Sequence, residues 1–169
     1  MTQVDGTIAI SGDIAFIGFE RRLHHPIEAV WAALTEPGQI STWLGEGTLE
    51  PRQGGSVALR TGPEGRPDLQ RSMSGRVLSC EPPRLLEYEW LQPGLDLSVV
   101  RYELEAEAGG TVLRFTHRRS ISRGALGGRA GWHAYLDRLA AHLDGLPVPS
   151  WAERRAAVEQ AYEEAPIQG

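Results

Sequence analysis

The chain has 169 residues, 41% of them hydrophobic and 23% charged, with a formal net charge of −5. That length holds one domain with a sizeable core, and the acidic balance speaks against nucleic acid or an anionic membrane as the main partner. All 17 basic residues are arginine and asparagine is absent, which excludes Schiff-base, phosphate-loop and kinase-type lysine chemistry as well as a Cys-His-Asn triad.

No apolar run reaches the length of a membrane span, and the segment Met1 to Asp5 lacks the basic start of a secretory leader. The single cysteine, Cys80, permits no internal disulfide. A cytoplasmic protein is expected.

In chain order, Met1 to Asp13 shows no clear period and reads as a loose arm or an early edge strand. Ile14 to Leu23 is a predicted strand with Ile17, Phe19 and Leu23 on one face and Arg21 interrupting that face. His24-His25-Pro26 ends it, and Pro26 suits a first helical position. Ile27, Val30, Trp31 and Leu34 then recur at helical spacing, Thr35 to Gly38 breaks the helix, and a second short turn carries Ile40, Trp43 and Leu44.

From Gly45 the pattern changes to strands separated by turns. Ser56–Thr61, Ser72–Cys80, Arg84–Leu91, Leu97–Ala106 and Thr111–Arg118 are the predicted strands, with a surface loop at Gly62 to Gln70. Leu86, Tyr88 and Trp90 share one face, as do Val100, Tyr102 and Leu104, and Leu113, Phe115 and His117. Joined by such short turns, the strands must be antiparallel, with one face covered and one solvated.

Gly127 to Gly145 holds Trp132, Leu136, Leu139, Ala140 and Leu143 at helical spacing. About sixteen residues make a rod of about 24 Å, long enough to cross roughly five strands. Gly145 is placed for a left-handed C-cap. Leu146-Pro147-Val148-Pro149 is a stiff linker, Ser150 and Glu153 form a capping box, and Trp151, Val158 and Tyr162 are expected to dock a short last helix onto the body.

Among chemistry-bearing residues, His117 points inward if Leu113 and Phe115 do. It is either a ligand partner or acid/base near neutral pH, or a strand-end histidine satisfied by a neighbour. Arg21 either meets a carboxylate, awaits an anionic ligand group, or is turned outward by a bulge. Tyr88, Trp90, Tyr102, Phe115 and Trp132 are the aromatic set expected around a cavity or in an ordinary core.

His24 and His25 are adjacent, so they make a poor chelate, and no metal site is expected. His133 and His142 are expected to be exposed. Cys80 is expected to be a buried, inert thiol. No Gly-x-Ser-x-Gly elbow and no phosphate fingerprint occurs; Gly124, Gly127, Gly128 and Gly131 read as a flexible entrance to the long helix. No catalytic residue and no cofactor are assigned.

Several pieces in this order resemble the START-like superfamily, also called SRPBCC or Bet v 1-like, in its branch named after the activator of Hsp90 ATPase. They are Pro26-Ile27-Glu28-Ala29-Val30-Trp31 through Pro37 with Trp43, Gly75-Arg76-Val77 leading to Pro82-Pro83-Arg84-Leu85, Tyr88-Glu89-Trp90, Gly110 to His117, and Gly131-Trp132 with Leu136, Leu139 and Leu143. The resemblance spans about Ile14 to Gly145. It implies an α+β helix-grip fold, a curved antiparallel sheet of about six or seven strands wrapped around a long C-terminal helix with a cavity between them. Members bind lipids, sterols, polyketides or other hydrophobic molecules, some are cyclases, dehydratases or lyases, and some sequester a self-made antibiotic. In the eukaryotic co-chaperone a separate N-terminal domain makes the main Hsp90 contact, and this chain is expected to have no room for one.

The expectation is therefore a START-like domain over residues 1–145, with a Pro-containing linker and short helix over 146–169 packed on it. It would hold a small hydrophobic or aromatic molecule using Arg21, Tyr88, Trp90, Tyr102, Phe115, His117, Trp132 and Leu136. A cyclase-, dehydratase- or lyase-like enzyme, a co-chaperone or other interaction module, and an antibiotic-sequestering protein are the alternatives. Neither nucleic acid nor membrane is expected as a partner, and a homodimer stays open.

Overall fold

The structure is a computed structural model; it describes residues 4–63, 71–121 and 125–164, with the side chains of 125–127 left aside. The strands are β1 (Thr7–Ser11), β2 (Ile14–Leu23), β3 (Gly45–Leu49), β4 (Ser56–Thr61), β5 (Arg71–Glu81), β6 (Leu85–Trp90), β7 (Ser98–Glu107) and β8 (Gly110–Ser120). The helices are α1 (Ile27–Thr35), α2 (Pro37–Trp43), α3 (Ala125–Leu143) and α4 (Trp151–Glu164). The strands form one antiparallel sheet in the order β1-β2-β8-β7-β6-β5-β4-β3.

Eight strands rather than six or seven arise because the N-terminal arm folds back as β1, pairing Ser11 with Ile14, and because Gly45–Leu49 pairs with β4. Gly12, at φ 58°, takes the left-handed conformation that this tight return requires. β2 leaves the sheet near one edge and β3 re-enters at the other, so α1 and α2 bridge its width. Trp43 anchors that bridge by donating its Nε1–H to the Ala33 carbonyl at 2.8 Å.

The alternation expected for the meander is present. Leu86, Tyr88 and Trp90, then Val100, Tyr102 and Leu104, then Leu113, Phe115 and His117 are buried on the inner face. Against them α3 lays Trp132, Tyr135, Leu136 and Leu139. The Phe115 and Trp132 rings lie 4.3 Å apart, and the Tyr88 and Tyr102 hydroxyls share a buried hydrogen bond of 3.1 Å. This is the helix-grip arrangement implied by the resemblance.

Three expectations are corrected here. α3 has 19 residues, starting before Gly127, so Gly127, Gly128 and Gly131 lie inside the helix rather than in an entrance to it; Gly124 lies outside the described residues, as do 64–70 of the expected surface loop. β2 stays in register with β8 through Arg21, which sits opposite Leu113, so no bulge turns it out. His133 is buried, not exposed, because Phe19 of β2, the N-terminal arm and α4 enclose it. Gly145 (φ 68°) ends α3 as expected: Leu146 N–H reaches back to the Ala141 carbonyl at 3.0 Å in a Schellman-type closure.

α4 packs on α3. Ser150 Oγ accepts from the Glu153 N–H at 3.4 Å, Trp151 Nε1–H donates to the Gly131 carbonyl at 3.1 Å, and Val158 is fully buried. Among the described residues no helix is long and apolar enough to cross a membrane.

Candidate functional site

β4 and β6 and β8 end, and β5 and β7 begin, at one end of the sheet. At that end the inner face lies opposite the first turns of α3, where Gly128 and Gly131 carry no side chain. A cavity of about 460 Å³ opens there, within the size range of small-molecule sites. Trp90, His117 and Ser98 come from the sheet, Trp132 and Tyr135 from α3, and Trp151 from α4.

Its inner wall is a closed chain of hydrogen bonds. The indole N–H of Trp132 can only donate, and it reaches His117 Nδ1 at 2.9 Å. That fixes the proton of neutral His117 on Nε2, which lies 2.8 Å from Ser98 Oγ and donates to it. Ser98 in turn donates to the Trp90 carbonyl at 2.8 Å. Burial, reinforced by the nearby positive charge of Arg119, pushes the His117 pKa down to about 3. The ring is therefore neutral near pH 7, with both nitrogens occupied.

Tyr135 closes another part of the wall. Its hydroxyl accepts the Gly62 N–H at 3.0 Å, burial pushes its pKa up to about 12, and its ring stacks on Trp151 at 5.3 Å. The lining also holds Arg71, Arg119 and Arg155 and one carboxylate, Asp96. Arg71 and Asp96 are exposed and Arg119 and Arg155 half-buried, so these charged groups lie to the solvent side of the buried Trp90, His117 and Trp132.

Of the residues expected at the site, Trp90, His117 and Trp132 line the cavity. Tyr88, Tyr102, Phe115 and Leu136 are packed behind it, each no more than 1% exposed. Their inward parity is right, but they lie deeper along the strands and helix. Burial raises the pKa of both Tyr88 and Tyr102, keeping them as neutral core phenols.

Arg21 is elsewhere. Its NH1 meets Asp137 Oδ1 at 2.8 Å and its Nε lies 2.7 Å from Asp5 Oδ2. Arg154 binds the other Asp137 oxygen at 2.6 Å, and His133 Nε2 lies 3.4 Å from it. The Tyr162 hydroxyl accepts the Gly6 N–H at 2.8 Å and shares a hydrogen bond of 2.9 Å with His133 Nδ1. This cluster ties the arm, β2, α3 and α4 together.

Ser98, Arg119, Tyr135, Trp151 and Arg155 were not among the expected site residues. Arg119 carried a readable signal: it has the same strand parity as His117, two residues further along β8. Tyr135 is three residues from Trp132 on the same helix.

The remaining candidates are accounted for without ligands. His25 Nε2 lies 2.7 Å from Asp144 Oδ1, and His142 Nε2 lies 3.0 Å from Gln39 Oε1. Cys80 is half-buried rather than buried; its thiol donates to the Pro51 carbonyl at 3.1 Å, and burial raises its pKa. Among the described residues no group of three or more His, Cys, Asp or Glu is placed to hold a metal ion.

The chain is similar to several solved structures. CalU16 from Micromonospora echinospora is 29% identical, with 94% of this chain and 92% of that one covered and a TM-score of 0.72. The protein encoded by gene BPP1335 of Bordetella parapertussis is 32% identical, with coverage of 97% and 92% and a TM-score of 0.72. Protein MLL2253 from Mesorhizobium loti is 27% identical, with coverage of 78% and 98% and a TM-score of 0.64. A search of curated proteins gave no match. The sequence model described as Activator of Hsp90 ATPase homolog 1-like protein matches residues 24–144, and the chain, with its helix-grip architecture, belongs to that family.

Proposed function

We propose that this protein binds a small hydrophobic or aromatic molecule in the cavity between the sheet and α3. The observation that carries the reading is the cavity of about 460 Å³ walled by Trp90, Trp132, Tyr135 and Trp151. Aromatic walls supply much contact area at little entropic cost and suit an apolar guest.

Binding is favoured over turnover because His117, the one imidazole in the lining, has both nitrogens committed and stays neutral to about pH 3. Antibiotic sequestration is a special case of the same reading and depends on which guest is found. A cyclase- or lyase-like role would need a free acid or base in the cavity.

Native mass spectrometry of the protein from its own host, coupled to tryptophan fluorescence, tests the reading. Three of the five tryptophans line the cavity, so a retained small molecule should quench the emission and raise the melting temperature by mass action. A protein carrying no adduct, whose emission and melting respond to no hydrophobic or aromatic compound, would overturn it.

A further inference from the structure

We propose that the ligand is an oxyanion on an aromatic body, with the ring system against Trp90 and Trp132 and the charged group at the opening, facing Arg119 and Arg155. This rests on the reading of the cavity as a ligand site and adds the chemical class and orientation of the guest.

The chain as a whole carries −5, yet the cavity lining holds three guanidinium groups and one carboxylate. They come from different elements: Arg71 from the start of β5, Arg119 from the end of β8 and Arg155 from α4. Arg119 is half-buried, and burial lowers its pKa, although a guanidinium still stays charged near neutrality. A guanidinium carries five N–H donors, so Arg119 and Arg155, the latter 3.6 Å from Glu159 Oε2, can serve an oxyanion in addition to their partners within the protein, and the planar fork suits carboxylate, sulfonate or phosphate oxygens.

The inner wall sets the orientation. Trp132, His117 and Ser98 spend their donors on one another and on the Trp90 carbonyl, so this part of the wall has no donor left for a guest. A charged group pushed to that depth would lose its hydration without compensation. The apolar part of the guest belongs there, and the oxyanion belongs at the opening.

Two dyes with one ring skeleton separate the terms. The probe 8-anilinonaphthalene-1-sulfonate carries a sulfonate, and N-phenyl-1-naphthylamine is its neutral counterpart. The sulfonate dye is expected to bind about tenfold or more tightly at low salt, a preference of the size one good charge-assisted contact gives. Raising the salt should weaken the sulfonate dye and leave the neutral one nearly unchanged.

Arg119→Gln and Arg155→Gln should each remove about three- to tenfold of the sulfonate affinity, while Arg52→Gln, remote from the cavity, should remove none. Arg155→Gln is the safeguard if Arg119→Gln alters folding, which circular dichroism melting would reveal. Equal affinities for the two dyes, or the same loss in Arg52→Gln, would overturn the oxyanion inference and leave the cavity reading standing. Failure of both dyes to bind the folded protein would overturn the two together.

Discussion

The indole N–H of Trp132 donates to Nδ1 of His117 across 2.9 Å, joining the long helix to the sheet at the inner wall of the cavity. The contact decides the state of the histidine as well as its position. Nδ1 must accept, Nε2 must carry the proton, and Ser98 must take that proton's hydrogen bond. A residue that looks from sequence like an acid or base in waiting is thereby built into the wall.

The pH dependence of stability follows. His117 has a folded pKa of about 3 against an ordinary 6.5, so between those values the unfolded chain binds a proton that the folded chain does not. Stability must then fall as the pH drops from about 6.5 toward 3, by up to ~1.4 kcal/mol per pH unit from this residue. His117→Gln can still accept from Trp132 and donate to Ser98 without titrating. Urea denaturation across pH 4 to 7 should give the variant the shallower slope, and equal slopes would show that His117 titrates normally.

Removing the donor alone should be costly. Trp132→Phe keeps a ring against Phe115 but leaves His117 Nδ1 as a buried acceptor without its partner, a loss of about 1–3 kcal/mol. Ser98→Ala strands the Nε2–H and should cost a similar amount. The two effects should be less than additive, because both break one chain of hydrogen bonds. Chemical denaturation of the two single variants and the double variant measures this, and full additivity would contradict a coupled network.

The Arg21 cluster predicts a separation of stability from binding. Asp137 receives both Arg21 and Arg154, so Asp137→Ala leaves two half-buried guanidiniums short of a carboxylate and should cost about 2–3 kcal/mol, below the full penalty of a deeply buried pair. Dye affinity at 20 °C should not change while the protein remains folded. A loss of binding without a loss of stability would place this cluster in the site after all.

What the sequence made legible follows from what periodicity can encode. A sheet with one covered face imposes a repeat of two, so Leu86, Tyr88 and Trp90 declare their side at once, as do Val100, Tyr102 and Leu104. Parity gives the face but not the depth along the strand, which is why Trp90 and His117 reach the cavity while Tyr88, Tyr102 and Phe115 are sealed in the core behind it. Arg119 lay beyond the strand end expected at Arg118, and a charge at a strand end reads as solvated. α3 misled for another reason. His133, Asp137 and Arg138 look like a wet helix face, yet their partners are Tyr162, Arg21, Arg154, Trp43 and Pro149. Contacts between such distant stretches leave no local period.

Two glycines of α3 should respond oppositely to the same change. A Cβ at Gly131 would come no nearer than 3.5 Å to Trp151, an ordinary contact, so Gly131→Ala should gain most of the ~1 kcal/mol helix-propensity advantage of alanine. A Cβ at Gly128 would lie 2.8 Å from Arg119 NH1 and 2.9 Å from Ile17 Cδ1. Gly128→Ala must push the guanidinium aside, offsetting that gain and weakening the sulfonate dye relative to the neutral one. Thermal melts and dye titrations of both variants check the contrast.

The C-terminal helix supplies the last test. Val158 is fully buried, Trp151 and Arg155 wall the cavity, and Tyr162 binds both Gly6 and His133. We propose that the described residues 146–164 fold as one unit with the body of the domain rather than as an appendage. Burying a valine and a large part of a tryptophan is worth about 3 kcal/mol or more, and in a chain of this size each kcal/mol moves the melting temperature by roughly 2–4 °C. Deleting residues 150–169 should therefore lower it by roughly 10 °C, expose the outer face of Tyr135 and weaken both dyes together, since a wall rather than a charge has been removed. A truncated chain that melts like the full one and keeps both dyes would make the helix dispensable and leave the cavity to the sheet and α3.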